Sequence, residues 1–180
     1  MSMARIISLD ARLILDSRGA WTVEVALKLS DGRAVCASVP QGKSIGSHEA
    51  RFAPPQEAAR NVRKIIAPKL RGADPTKQKE IDDLLIRLDG TPNKERLGAN
   101  AVLGVSIACA RAGALARNVP LWKHIRRASG LRIGRAGGAR GPRLFINMIN
   151  GGLHAGTNLH IHEYLVIPRA KTMREAVEVG

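Results

Sequence analysis

The sequence predicts an α+β domain over residues 1–128, in which a three-stranded antiparallel meander packs with helices. Three observations lead to this prediction. Residues 21–30 alternate between apolar and polar side chains, as in a half-buried strand. Asp31-Gly32 follows directly and favours a tight hairpin turn. From Pro54 onward the apolar residues recur with helical spacing instead.

The meander has three predicted strands. The first is the apolar-rich segment 6–16, and the third is segment 34–39, which returns antiparallel after the hairpin turn. The middle strand should bury one face and expose the other, because successive side chains point to opposite sides of a sheet. The residues expected on its buried face are Val23, Val25, Leu27 and Leu29.

The segment 40–50, PQGKSIGSHEA, ends the predicted sheet. Its small polar residues include Gly42 and Gly46, which can act as hinges. Two interpretations stay open. The segment could be a mobile lid over an anion, or it could be an ordinary surface connection.

Four helices are predicted after this loop. Pro54-Pro55 opens one that continues to Leu70, with Pro68 disturbing its end. In the second, Asp74-Pro75 should provide the N-cap and the first-turn proline, and Gly90 should end it.

The third predicted helix covers Ala99–Ala116. It is small and apolar almost all round, which indicates burial against close neighbours. Pro120 starts the fourth, which is short.

The Gly- and Arg-rich segment 129–142 is predicted to be a linker and a domain boundary, with a proteolytic cut expected near residues 134–141. Residues 143–180 then contain two apolar strands, 144–149 and 164–167, and the beginning of a helix at 172–179.

The composition bounds the class of protein. The hydrophobic share of 44% is enough for a core, and the net charge is +14. Because the basic residues are scattered, we expect weak attraction to polyanions, with no specific nucleic acid as partner. Cys36 and Cys109 lack metal-ligand spacing, which favours a reducing compartment. No signal-like segment or apolar run of about 20 residues occurs, so a cytoplasmic protein without a membrane partner is expected.

One stretch, residues 146–168, concentrates candidate functional side chains. The break Asn150-Gly151-Gly152 allows a sharp turn or a close approach. The polar side chains that follow the break are His154, His160, His162 and Glu163. They could face a cleft, serve only structural roles, or bind a metal, with His160 and His162 on one strand face; without cysteine or a helical His pair, the zinc signal is weak.

Several segments together resemble one family, enolase (phosphopyruvate hydratase). The most specific is LDGTPNKERLGANAVLGVSIACARA at 88–112. The others are LDSRG at 15–19, TVEV at 22–25, the loop 40–50, NMINGGLHAG at 147–156, HEYLVIP at 162–168 and AKTMREAVEVG at 170–180. The resemblance implies a small α+β domain followed by an α/β barrel, of which residues 143–180 would be the first elements, truncated. Strands of a parallel barrel are normally covered on both faces and paired on both edges. Because the neighbouring elements are missing, we expect residues 143–180 to be poorly ordered or to self-associate.

The resemblance also implies a reaction. Enolases dehydrate 2-phosphoglycerate to phosphoenolpyruvate in glycolysis with two Mg²⁺ ions and a lysine base. By position, Ser44 matches a ligand of the second Mg²⁺, and His154 matches the histidine that closes over substrate. Glu163 matches the glutamate that acts as acid or positions water. Arg18 and Glu24 match residues of a homodimer interface.

The sequence also departs from the family. The residues that are usual in the family are replaced at several positions: Ala20-Trp21, Lys43 and Ile45 beside Ser44, and His162. The net charge of +14 is also unusually basic for the family. The family's ligands for the first Mg²⁺, its lysine base and its phosphate-binding side chains match nothing in residues 1–180. These residues are therefore expected to be inactive alone, as a fragment or as half of a split enzyme that needs a separate barrel chain. The alternative is a catalytically dead basic remnant that acts as a binding module.

Overall fold

The computed structural model describes residues 4–42, 46–130, 143–152, 155–156 and 158–179. The chain divides into two compact units, residues 1–131 and 132–180. The first unit is a mixed α+β domain with one hydrophobic core. The second contains a short two-stranded sheet and one helix.

The first unit contains the predicted meander. Its strands are β1 (Ile6–Leu15), β2 (Trp21–Leu29) and β3 (Ala34–Val39). They pair antiparallel in the order β1-β2-β3. In the turn between β2 and β3, Gly32 adopts a φ of +87° and donates its N–H to the carbonyl of Leu29 at 3.0 Å. The predicted α+β class is confirmed.

The alternation along β2 is confirmed on its core face. Val23, Val25, Leu27 and Leu29 are buried there, as expected. One residue of the opposite face departs from the polar-out pattern, because Thr22 is also buried. Its hydroxyl donates to the carbonyl of Val39 at 2.5 Å, so its burial leaves no unmet hydrogen bond.

The first helical segment has three parts: α1 (Pro55–Asn61), a π-helical turn (Val62–Ile66) and α2 (Ala67–Leu70). The N–H of Ala67 bonds to the carbonyl of Val62, five residues back. Pro68 follows immediately, and its ring cannot accept the geometry of a continuous α-helix over the preceding turn. The predicted disturbance by Pro68 is therefore confirmed.

The next helix, α3 (Gln78–Asp89), begins later than predicted. Asp74 is not its N-cap: the Asp74 carboxylate accepts the N–H and the hydroxyl of Thr76 at 2.9 and 2.8 Å. These bonds close a local turn, which competes with helix initiation at aspartate. The predicted end is confirmed, since Gly90 caps the helix with a φ of +71°.

The central helix α4 (Ala99–Ala116) has the predicted bounds and packs against β2, β3, α3 and α5 (Leu121–Ala128). Its small side chains allow this close contact. Among the described helices, α4 is the one long and apolar enough to cross a membrane by length and composition, and more than half of it is buried inside the protein.

The second unit contains β4 (Ile146–Asn150), β5 (Glu163–Val166) and α6 (Met173–Val179). The two strands pair antiparallel, with Ile146 opposite Val166 and Asn150 opposite Glu163. The expectation of parallel barrel strands is wrong for this pair, because β4 and β5 run antiparallel. Every residue of β5 is exposed among the described residues.

Candidate functional site

The outer face of the amino-terminal sheet carries a polar ladder centred on Glu24. Arg12 lies directly opposite Glu24 on β1, and Ser38 lies opposite it on β3. The Glu24 carboxylate accepts the Nε of Arg12 at 2.7 Å and the hydroxyl of Ser38 at 3.3 Å. Cross-strand partners of this kind hold a side chain in one orientation. Glu24, predicted at a dimer interface, is therefore ordered by its own chain.

Arg18, the other residue predicted at that interface, lies in the turn between β1 and β2. Its guanidinium donates to the carbonyl of Gln41 and lies 3.6 Å from the carboxylate of Asp16. Backbone N–H groups of Ala20 and Arg18 hold the pKa of Asp16 below its ordinary value, with the Arg18 charge adding to the effect. The Arg18 side chain thus connects this turn to Gln41, near the start of the loop that contains Ser44.

The residues directly after that loop pack on the segment before α4 and on the first turn of α4. The N–H of Arg51 donates to the carbonyl of Asn93 at 2.7 Å, and Ala99 donates to the carbonyl of Arg51 at 2.7 Å. The side chain of Asn100 also bonds both backbone groups of Ala53. Beside these contacts lies a cavity of about 400 Å³ lined by Ser47, His48, Glu49, Ala50, Arg51, Pro92, Asn93 and Lys94.

A buried carboxylate, Asp89, orders the other wall of this cavity. It accepts the N–H of Thr91 at 3.0 Å and the N–H of Leu97 at 2.8 Å. Burial alone would raise the pKa of Asp89, but the hydrogen bonds from Thr91 and Leu97, with the charge of Lys94, outweigh it and lower the pKa. The polar sequence of residues 91–98 predicts a loop, but it does not reveal the buried carboxylate that anchors it. The Asp-Gly-Thr order after a helix was the available signal.

The candidate stretch of the second unit is built around a close backbone crossing. Gly151 donates its N–H to the carbonyl of His162 at 2.8 Å, and Gly152 donates to Leu159 at 2.7 Å. A Cβ on Gly151 would lie 2.1 Å from the carbonyl oxygen of Ile161, so only glycine fits. The predicted close approach at this break is therefore observed.

This crossing corrects one expectation. His160 and His162 do not share a strand face, because the chain bends through residues 161–162 and β5 begins only at Glu163. Glu163 stands exposed at the first position of β5, directly opposite Asn150. The carbonyls of Leu159 and His162 bond to the two glycines, and the regular strand pairing of β5 begins only at Glu163.

Two predicted site residues, Ser44 and His154, lie outside the described residues, as does the predicted linker from residue 131 on. Of the remaining site residues, Arg18 and Glu24 belong to the first unit and Glu163 to the second.

The described residues do not assemble a metal site. Within the ranges that the structure covers, no three His, Cys, Asp or Glu side chains come close enough to hold a metal ion. The histidine-based metal hypothesis gains no support from His160, His162 and Glu163. For Mg²⁺, which prefers carboxylate and other oxygen ligands, the described residues also lack a suitable cluster. No catalytic step is therefore assigned to a metal held by them.

The structure reveals one further polar residue in the core, His124 of α5. It is completely buried, and neither ring nitrogen has a hydrogen-bond partner among the described residues. The ring lies against Gly113 of α4, where an added Cβ would be 2.7 Å from Nε2. Burial first, and then the charges of Arg117 and Arg127, lower the pKa of His124. The sequence signal was a histidine on a short helix next to a small-residue helix.

Comparison with protein families gives two consecutive matches. Residues 6–125 match the model of the enolase N-terminal domain. Residues 141–180 match the model of the enolase C-terminal TIM barrel domain. The first match alone covers more than half of the chain, and both occur in the order expected from the sequence resemblance.

Curated relatives agree with these matches. The chain is 43% identical to an enolase of Methanopyrus kandleri over 99% of its own length and 42% of that relative. It is 45% identical to enolase 1 of Methylococcus capsulatus over 97% of the chain and 44% of the relative. An enolase of Anaplasma phagocytophilum is 43% identical over 99% and 42%. The chain thus spans less than half the length of the curated relatives it matches.

Proposed function

The chain belongs to the enolase family, and we propose that it supplies the amino-terminal domain and the first barrel elements of an enzyme that dehydrates 2-phosphoglycerate to phosphoenolpyruvate. The observation that carries this proposal is the pair of consecutive family matches, at residues 6–125 and 141–180. We place this enzyme in the cytoplasm, as a proposal that follows from the same family.

In this proposal, the loop 40–50 acts as a lid over the phosphorylated substrate, with Ser44 contributing an oxygen to the second Mg²⁺. Both ends of the described part of the loop are fixed. Arg18 bonds Gln41 at one end, and Arg51, the residue directly after the loop, bonds Asn93 at the other. A segment fixed at both ends can move as a lid without displacing the domain that carries it.

Glu163 is the proposed acid or water-positioning group for the departing hydroxide, and His154 closes over the substrate. Glu163 suits this role because it is exposed at the first position of a strand. The adjoining crossing at Gly151 fixes the backbone just before it. A carboxylate on a fixed backbone can direct a proton or a water with little reorganisation.

We further propose that Arg18 and Glu24 contribute to a homodimer interface. Glu24 supports this proposal because its side chain is held by Arg12 and Ser38 rather than freely mobile. A preordered charged side chain loses little conformational entropy when a partner binds. Size measurement of the wild type and of Glu24→Gln across a concentration series tests this interface.

The central test is complementation. A polypeptide of these 180 residues should show no turnover of 2-phosphoglycerate alone, even at high Mg²⁺, because the residues that match the family's base and first metal ligands are not among them. Mixed with a separately expressed enolase barrel, it should produce phosphoenolpyruvate, followed by ultraviolet absorbance. Glu163→Gln should abolish that turnover.

The matched control is Glu178→Gln, which removes a carboxylate from α6 of the same unit and should leave turnover in the mixture unchanged. Equal loss in both variants would contradict the assignment of Glu163. Turnover by the 180 residues alone would contradict their proposed dependence on a barrel chain.

The net charge of +14 favours one alternative, a catalytically dead basic remnant that binds acidic partners. Heparin binding at low and moderate salt separates the two functions. Scattered charge predicts weak binding that salt removes. Tight binding that survives moderate salt, together with failure of complementation, would favour the binding module.

A further inference from the structure

A second, smaller cavity lies in the first unit, where the start of α3 meets the ends of α4 and α5. Its volume is about 180 Å³, and it is open to solvent. The residues that line it are Thr76, Lys77, Gln78, Lys79, Glu80, Arg117, Arg127 and Ala128. None of them belongs to the candidate site described above.

The charges around this cavity are unbalanced. Four cationic side chains line it, against the single carboxylate of Glu80. Lys77 lies 3.2 Å from that carboxylate, and Lys79 pairs with Asp83 at 2.7 Å. Arg117 and Arg127 have no carboxylate within ion-pair distance among the residues that the structure describes. Arg117 donates to the carbonyl of Thr76 at 3.4 Å, which orders the side chain without neutralising it.

The two arginines line the same cavity. The charge of each also acts on the buried imidazole of His124. The Nε2 edge of the ring lies against Gly113, which the carbonyl of Pro75 also approaches. Pro75 directly precedes Thr76, the first residue of the cavity wall. His124 therefore lies close to the segment that begins the cavity wall.

We propose that this cavity binds a phosphate group, with Arg117 and Arg127 as its principal ligands and Lys77 as a third cation. Guanidinium groups present paired N–H donors that match the oxygens of phosphate. A bound dianion would relieve the repulsion between the two arginines. The cavity, at about 180 Å³, is large enough for one phosphate group.

The group could come from inorganic phosphate or from a small phosphate monoester, since both present the same oxygens. Titration with inorganic phosphate and, separately, with glycerol phosphate distinguishes these sources. Tighter binding of glycerol phosphate assigns the site to a monoester, and tighter binding of inorganic phosphate assigns it to the free ion. The proposal does not depend on the enzymatic function proposed above.

The buried histidine offers a specific readout of the full 180-residue chain. Because burial, Arg117 and Arg127 all disfavour its protonated form, a bound anion should raise the pKa of His124. Imidazole resonances followed by NMR across a pH series, with and without phosphate, measure this change. His48, which is exposed in the loop 40–50 and does not line this cavity, serves as an internal reference.

Arg117→Gln and Arg127→Gln should each weaken phosphate binding roughly tenfold, because each removes one charge-assisted contact. Arg87→Gln is the matched control: it removes the same charge from an exposed position in the last turn of α3. It should bind phosphate like the wild type. Equal weakening in all three variants, an unchanged His124 titration, or an absence of saturable binding would overturn the proposal.

Discussion

The carboxylate of Asp89 accepts the backbone N–H of Leu97 at 2.8 Å, and this bond spans the loop between α3 and α4. Its other oxygen accepts the N–H and the hydroxyl of Thr91. One buried side chain thus fixes both ends of the segment 91–97, against which Arg51, directly after the loop 40–50, is packed.

Replacing Asp89 with Asn should destabilise the domain by about 2–3 kcal/mol, because the amide N–H₂ would meet backbone or hydroxyl donors in a buried site. Urea unfolding at pH 7 measures this loss. Asp83→Asn is the control, since Asp83 forms only a surface pair with Lys79; its cost should stay below about 0.5 kcal/mol. Similar costs for both variants would contradict the anchoring role.

The lowered pKa of Asp89 also predicts a pH dependence. The carboxylate stabilises the fold fully above its ordinary value of 3.8. This contribution is lost as the pH falls from that value through the lower pKa of the folded state, because the unfolded chain then binds the proton first. Unfolding curves between pH 5 and pH 3 should show a shallower loss for Asp89→Asn than for the wild type.

His124 predicts a second pH dependence at higher pH. Its folded pKa lies below the ordinary value of 6.5, so its neutral form stabilises the fold fully above pH 6.5. Stability should fall as the pH drops from 6.5 towards the folded pKa, because the unfolded state gains the proton. His124→Phe should flatten this slope between pH 7 and pH 5 in urea unfolding, whereas His48→Gln should keep it. Equal slopes in the wild type and His124→Phe would refute the prediction.

Two glycines of α4 should respond differently to alanine, although alanine normally favours a helix. At Gly113, a Cβ would lie 2.4 Å from the backbone carbonyl oxygen of Pro75, which cannot move easily. At Gly104, the closest atom is 2.9 Å away in the side chain of Val25. We expect Gly113→Ala to cost roughly 2–3 kcal/mol and Gly104→Ala about 1 kcal/mol. Thermal unfolding of both variants tests this order, and a reversed order would count against the packing described.

The two cysteines should differ in reactivity. Cys36 is exposed on β3, whereas Cys109 is buried in α4. Burial, with a smaller effect of the Asp82 charge, raises the pKa of Cys109 to about 12, so its reactive thiolate is scarce at neutral pH. Colorimetric thiol titration at pH 8 should find one fast thiol in the native protein and two after denaturation. Two fast thiols in the native state would show that α4 is not firmly packed.

The sequence was most informative where one local pattern had one structural solution. The alternation from Val23 to Leu29 and the glycine of the following turn predicted β2 and its hairpin. The pattern of small residues, apolar almost all round, predicted α4 with its observed bounds, Ala99–Ala116. The helix start predicted at Asp74 was wrong, because the Asp74 carboxylate closes a turn with Thr76 and is not available to cap the helix. The burial of His124 could not be predicted, since the ring packs against Gly113 at a point that the distant Pro75 also approaches. Asp89 bonds only to nearby residues, Thr91 and Leu97, and its Asp-Gly-Thr order was a local signal. At the candidate site, the close approach at Gly151 could be predicted from the glycine pair. The start of β5 at Glu163 could not, because it depends on how the chain crosses Gly151.

The π-helical turn at Val62–Ile66 has a consequence for how this helix can change in length. The core residues Ala58, Val62, Ile66 and Leu70 recur every four positions, whereas an α-helix turns once every 3.6 residues. The wider turn absorbs the accumulated difference and keeps this row of side chains in phase. Deletion of one residue within the turn would leave these core positions four, three and four residues apart, which is the spacing of one face of a regular α-helix. The π-helical turn is therefore the place where this segment can lose a single residue while Leu70 stays in the core.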